Sequence, residues 1–232
     1  MVFLVGDDVL QLKPYEEAFY NIARSIRRKL SSIIICEGSD DAKILKSIIR
    51  KIGIECKATI GVSHGGGQPS IDELIEYVIV LSRLSRRLKS IGLVIDSEEL
   101  TPHEKYLNIL SKLKGKQQDI GFSKIEEVVI EENFYMLKIR FDQRVINLLM
   151  AISGLTEYPF KHHMIEDHAL KLAFKEKDLD QSIVNDLTRS KEAFNSVDGI
   201  IALIERASKE NIIASFNHLI NLIKYVCEEP KT

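Results

Sequence analysis

The chain has 232 residues, of which 45% are hydrophobic and 28% charged, which is enough apolar material for a sizeable core. Its net charge of -2 excludes a global basic field that would draw it to nucleic acid or a membrane surface, so polyanion binding must come from local patches. No apolar run approaches the ~18 residues of a membrane span. Met1-Val2-Phe3-Leu4-Val5 lacks both the basic flank and the length of a signal peptide. The three cysteines Cys36, Cys56 and Cys227 are odd in number and form no CxxC pair. They argue against a zinc ribbon or a disulfide framework and make a soluble protein of a reducing cytoplasm the expectation.

In chain order, the first 13 residues allow a small hairpin around Gly6-Asp7-Asp8, and Pro14 opens a helix to about residue 30. Residues 31–36 are short, continuous and β-branched, which predicts a buried strand ended by Glu37-Gly38. Residues 40–52 predict a helix with Ile44, Leu45, Ile48 and Ile49 on one face, closed by Gly53. A strand at 56–62, a loop at 63–69 and a helix from Ser70 to about residue 88 follow. Then come a strand at 91–95, a helix at about 102–113 and a fourth strand at 126–130.

This β-α-β-α-β-α-β order predicts an α/β core of about four mostly parallel strands with helices on both faces. Residues 134–141 and 145–153 predict an added β-hairpin turning near Asp142-Gln143. From His162 onward the pattern is helical. Its last helix, 208–227, carries the stripe Ile212, Ile213, Phe216, Leu219, Ile220, Ile223 and Val226. The expected division is an N-terminal hairpin and helix (1–30), an α/β core (31–130), a β extension (131–160) and a helical C-terminal region (161–232). Those last helices pack on the core or join two copies as a homodimer.

Chemistry is concentrated where two of the strands end. Glu37-Gly38-Ser39-Asp40-Asp41 follows the strand at 31–36, and Asp96-Ser97-Glu98-Glu99 follows the strand at 91–95. Parallel strands in an open sheet place their carboxyl ends on one edge, where ligands bind. A pair i, i+2 leaving a strand can aim two carboxylates at one ion while Ser97 points away. Mg²⁺ takes oxygen ligands and is typically held by one or two carboxylates plus substrate phosphate. The structural alternative is that Asp40 and Asp41 only suit the positive start of a helix.

Glu37-Gly38-x-x-Asp41-Ala42, the glycines Gly65-Gly66-Gly67 before a helix, and Asp96-Ser97-Glu98 resemble, in order and strand context, the motifs of a Toprim domain. Toprim is the metal-binding module of topoisomerases, bacterial-type primases, overcoming-lysogenization-defect nucleases and ribosomal-RNA maturases. The resemblance covers roughly residues 31–130 and is greatest to small stand-alone prokaryotic Toprim proteins. It implies a Rossmann-like core in which Asp96 and Glu98 hold Mg²⁺ (or Mn²⁺). Glu37 is then a general acid/base or a further ligand, and Asp41 supports the site.

Glu98 departs from the family's Asp-x-Asp, and Glu99 could compensate. No tyrosine-bearing cleavage domain or zinc module accompanies the motifs, which sets aside strand passage and primer synthesis. The implied activity is phosphodiester chemistry on RNA or DNA, as a nuclease. The rival is a catalytically degenerate module that binds nucleic acid or a protein partner. Some small relatives carry a later Leu-Glu-Asp segment, and Ile165-Glu166-Asp167 falls at a comparable place.

Three further groups are candidates. His162, His163, Glu166, Asp167 and His168 cluster within one stretch, where Glu166 or Asp167 could complete a second metal position, or where a polar helix start suffices. Arg24, Arg27, Arg28 and Arg83, Arg86, Arg87 repeat one spacing near helix ends. They read either as phosphate clamps or as cations favoured by the dipole, and topology puts them on the amino edge, opposite the acids. Gly65-Gly66-Gly67 could cradle a phosphate through backbone N–H groups, or could be a flexible connection with His64 on the surface. Cys36 reads as inert core.

Overall fold

Continuous β-branched runs form the central strands, and the amphipathic segments between them cover both faces. The computed structural model describes residues 10–11, 31–55, 58–62, 70–84, 87–117, 121–141, 143–177, 194 and 196–227. The strands are β1 (Leu10–Gln11), β2 (Ser32–Cys36), β3 (Thr59–Val62), β4 (Ser90–Asp96), β5 (Phe122–Glu131), β6 (Phe134–Phe141) and β7 (Arg144–Ser153). The helices are α1 (Ser39–Ile52), α2 (Ile71–Leu84), α3 (Pro102–Gly115), α4 (Ile165–Glu176), α5 (Val197–Arg206), α6 (Lys209–Ser215) and α7 (Asn217–Cys227). The expected hairpin around Gly6, helix at 14–30, glycine loop and Arg24-Arg27-Arg28 triplet lie outside the described residues, as do Arg86 and the side chain of Arg83.

One mixed α/β sheet runs in the order β1-β3-β2-β4-β7-β6-β5. Strands β1, β3, β2, β4 and β7 are mutually parallel, while β6 and β5 are antiparallel. The sheet is thus larger than the four strands expected. The segment at 126–130 belongs to the antiparallel edge strand β5, not to the parallel core. The next parallel strand after β4 is β7, which pairs along all of β4 from Ser90–Asn147 to Asp96–Ser153. Periodicity identifies a strand but not its neighbour, which is why the order was not visible from sequence.

Side chains alternate across the sheet. Ile34, Cys36 and Val94 enter one core, shared with α1, α4, α5, α6 and α7, while Ile33, Ile35, Ile91, Leu93 and Ile95 enter the other, beneath α2 and α3. Of the predicted C-terminal stripe, Ile212, Phe216, Leu219, Ile220, Ile223 and Val226 are buried, joined by Leu222, whereas Ile213 is exposed. The expected helix at 208–227 is broken at Phe216, between α6 and α7. The break lets α6 pack on α4 and α1 while α7 lies against β7, β4, β2 and β6.

Gly92 makes this packing close. A β-carbon there would stand 3.3 Å from both Ile34 Cγ1 and Leu222 Cδ1. Cys36 is a buried free thiol, whereas Cys227 is disulfide-bonded. That bond removes the argument from cysteine usage to a reducing compartment. No helix among the described residues is long and apolar enough to cross a membrane.

Candidate functional site

The chain leaves β2 toward β3 on one side of the sheet and returns to β4 on the other side of β2. The carboxyl ends of β2 and β4 therefore frame a topological switch point, the usual binding crevice of open α/β sheets. Glu37 follows β2 and Asp96 ends β4, with the two strands hydrogen-bonded in register up to Cys36–Val94.

Each acid is fixed by a backbone amide. The Asp96 N–H donates to Glu37 Oε2 at 3.0 Å. The Gly38 N–H donates to Asp41 Oδ2 at 2.9 Å, which closes the first turn of α1. The Ile165 N–H donates to Asp96 Oδ1 at 3.1 Å, so Asp96 caps α4, whose own preceding residue, Met164, supplies no side-chain cap. Two helix N-termini thus face the cluster and favour negative charge there.

Those contacts do not offset burial. Glu37, Asp41 and Asp96 are 7%, 9% and 7% exposed. Burial raises the Asp96 carboxyl well above the carboxylate range, and the charges of Asp41, Glu37 and Glu166 push it further. Burial likewise pushes Asp41 up to about 7, aided by Glu37 and Glu166 and opposed by the Gly38 hydrogen bond. Glu37 is raised by burial and by Glu98, against the Asp96 N–H and the Lys105 charge. Four acids from three distant stretches therefore act on one another: Glu37, Asp41, Asp96 and Glu166.

Other predicted site residues separate from this group. Glu98 lies beyond the end of β4 and does not continue its extended backbone. Its backbone is left-handed at φ 59°, held by a two-way bridge to His163 with N···O distances of 2.9 and 2.8 Å. Its side chain lies beside Glu37 electrostatically, with Oε2 3.9 Å from Lys105 Nζ. Glu99 is exposed and pairs with Lys161 at 3.7 Å.

Asp167 turns inward. Its Oδ2 accepts from the Leu155 N–H at 3.1 Å and lies 3.0 Å from His163 Nδ1. His163 precedes α4, so the pair is made from the helix approach rather than along a helix face. His168 accepts the Gly154 N–H at Nε2 (3.1 Å) and donates from Nδ1 to the Ser215 carbonyl (2.8 Å). Both ring nitrogens are thereby committed, and burial lowers its pKa to about 4, so it is a neutral structural histidine.

Sequence reasoning missed several residues. His218 stacks on His168 with ring centroids 4.0 Å apart and meets Ser153 Oγ at 3.3 Å. Gly154 has φ 134°, and a β-carbon there would sit 2.2 Å from Ser97 Oγ and 2.7 Å from His163 Cβ. Only glycine lets the chain after β7 pass so close to the end of β4. Lys105, on α3, is the third. Apart from its place one turn into the helix after the acidic motif, nothing local in the sequence marks it.

A cleft of about 490 Å³ opens beside the acids, lined by Ser97, Glu98, Glu99, Leu100, Lys105, His162 and Met164. Among the described residues no group of three or more acid, histidine or cysteine side chains stands as a formed metal cage. The carboxylates thus converge closely enough to raise one another's pKa without being closed around a point. Comparison of the chain with protein-family models, with curated proteins and with solved structures finds no match.

Proposed function

We propose that this chain is a Toprim-like, divalent-cation-dependent enzyme of phosphodiester chemistry on RNA or DNA, acting as a nuclease. The observation that carries the reading is the set of buried carboxylates Glu37, Asp41 and Asp96 at the switch point, all with raised pKa and with Glu166 facing them. Clustered buried carboxylates are costly, and proteins keep them where a cation or a proton-transfer task compensates. An all-oxygen acidic donor set suits Mg²⁺ or Mn²⁺ rather than zinc.

Asp96, Glu37 and Glu166 would hold the ion. Glu98 would stand at the cleft edge beside Glu37 rather than in the role its motif implies. A bound Mg²⁺ would neutralise the cluster and polarise a phosphoryl oxygen. In the alternative role, not ligating the ion, Glu37, raised toward neutrality by its surroundings, is suited to hold or give up a proton near the reacting group. Asp41 braces the turn that presents Glu37, through the Gly38 N–H.

Calorimetric titration with Mg²⁺ and Mn²⁺ tests the metal, and incubation with labelled single- and double-stranded RNA and DNA tests turnover. Binding should be lost in Asp96→Asn, and Glu37→Gln should slow cleavage by at least ~100-fold. Equal metal affinity in Asp96→Asn would sink the assignment. A second reading, a degenerate module that binds nucleic acid or protein without chemistry, draws on Glu98, which replaces the second Asp of the motif and lies 3.9 Å from Lys105 Nζ. Metal binding without cleavage of any of the four substrates would favour it. A homodimer through the C-terminal helices would have to use what α6 and α7 leave exposed, notably Ile213 and Tyr225.

A further inference from the structure

We infer that Lys105 is the residue of this site that contacts the substrate phosphate, an inference that rests on the phosphodiester reading above. Lys105 lies in the first turn of α3, where its own N–H donates to the Thr101 carbonyl at 3.0 Å. A cation is unfavourable at that end of a helix. The rest of α3 obeys the rule, with Glu104 in the first turn and Lys112 and Lys114 in the last. Helix electrostatics therefore do not account for a lysine here.

Packing does not account for its charge either. The buried stripe of α3 is Pro102, Tyr106, Ile109, Leu110 and Leu113, and Lys105 sits at the margin of that stripe with its side chain only 12% exposed. The stem is covered while the ammonium is directed to the acidic edge. Its contact with Glu98 Oε2, at 3.9 Å, is too long for a hydrogen bond. Its field reaches Glu37 and lowers that carboxyl's pKa against the dominant effect of burial.

The cleft supplies the room. Its volume of about 490 Å³ can admit a phosphodiester with its flanking sugars, and among its described lining residues Lys105 alone carries a fixed positive charge. A phosphate entering between Lys105 and the carboxylates would meet the ammonium on one side and the site of the cation on the other. Lysine suits this task as a compact, rotatable point charge.

Competition follows from the same geometry. The Lys105 charge lies close enough to the acids to oppose a divalent cation, so removing it should tighten metal binding while weakening phosphate binding. A purely structural lysine would not give opposite signs.

The test uses the full chain with Lys105→Met and Lys105→Arg. Mg²⁺ binding is measured by calorimetry without nucleic acid. Binding of a fluorescent oligonucleotide, as RNA and as DNA, is followed by anisotropy over a salt series in Ca²⁺. Lys105→Met should bind oligonucleotide ~10-fold more weakly and reduce the slope of log K against log salt by about 1. It should bind Mg²⁺ more tightly, by severalfold, and Lys105→Arg should restore the salt slope.

Wild-type binding with an unchanged slope in Lys105→Met overturns the Lys105 assignment and leaves the phosphodiester reading standing. Parallel loss of metal and oligonucleotide binding in both variants also overturns it, by making Lys105 a structural residue. A wild type that binds neither RNA nor DNA overturns both. Thermal melting of each variant separates these outcomes from misfolding, and should Lys105→Met fail to fold, Lys105→Gln takes its place with the same expected and overturning results.

Discussion

Asp41 carries two demands at once. It closes the first turn of α1 through the Gly38 N–H, and it does so buried within the field of Glu37, Glu166 and Asp40. Its carboxyl is raised from an ordinary 3.8 to about 7, so between those values the folded state holds a proton that the unfolded chain has lost. Stability is therefore full below pH ~4 and is lost as pH rises through ~7, because the native state binds more protons. Glu37 and Asp96 are raised too, and act with the same sign. Thermal melts in chelator should show the midpoint falling from pH 5 to pH 7.5, and Asp41→Asn, which keeps an acceptor for Gly38, should flatten that fall. A midpoint that rises over the same range would contradict this account of the cluster.

Among single residues, what was legible in the sequence was an acid directly after a β-branched run. Glu37 and Asp96 meet because β2 and β4 pair in register, and both strands were visible as short apolar blocks. Glu166 joins them from the start of α4, through contacts that depend on the path of β7 and the loop after it. No local pattern encodes that path. Glu98 departs from strand geometry for a backbone reason: the chain turns left-handed at φ 59° to pair with His163, and side-chain alternation ends with the strand.

At the scale of elements, helix starts were the clearest signals, since capping chemistry is local. Ser70, the expected cap, pairs with Glu73, and Thr101, at the start of the helix expected from about 102, pairs with Glu104, each through reciprocal side-chain and backbone hydrogen bonds. The seating of α7 was not local and turned on a glycine. Gly92, in mid-β4, faces α7, and its missing side chain lets Leu222 and Val226 approach the sheet. Gly92→Val would push against Ile34 and Leu222 in a closely packed core, where overpacking typically costs ~1–3 kcal/mol. Urea denaturation should show a loss in that range. A neutral result would mean that α7 shifts freely on the sheet, and the site would then be expected to tolerate the change as well.

At the scale of the whole molecule, the parallel core and the later β strands are not separable in the hydrogen-bond ladder. Strand β4 has β2 on one edge and β7 on the other, and seven residue pairs join it to β7. A chain ended after Ile130 would keep the motifs Glu37-Gly38 and Asp96-Ser97-Glu98. It would open the whole β7-facing edge of β4 and remove β6, the sheet neighbour of β5 among the described residues. It would also uncover Ile34, Cys36 and Val94, which are buried against the C-terminal helices. Asp96 would lose the Ile165 N–H, and the acidic cluster would lose Glu166.

An exposed, flat and largely apolar strand edge is a template for aggregation. The fragment 1–130 should therefore show no cooperative thermal transition, and it should bind no Mg²⁺ in calorimetry even though every residue of the acidic motifs is present. A fragment that melts cooperatively and binds metal as the full chain does would mean that residues 31–130 form a self-sufficient core. The strands and helices that follow would then be a covering rather than part of the site.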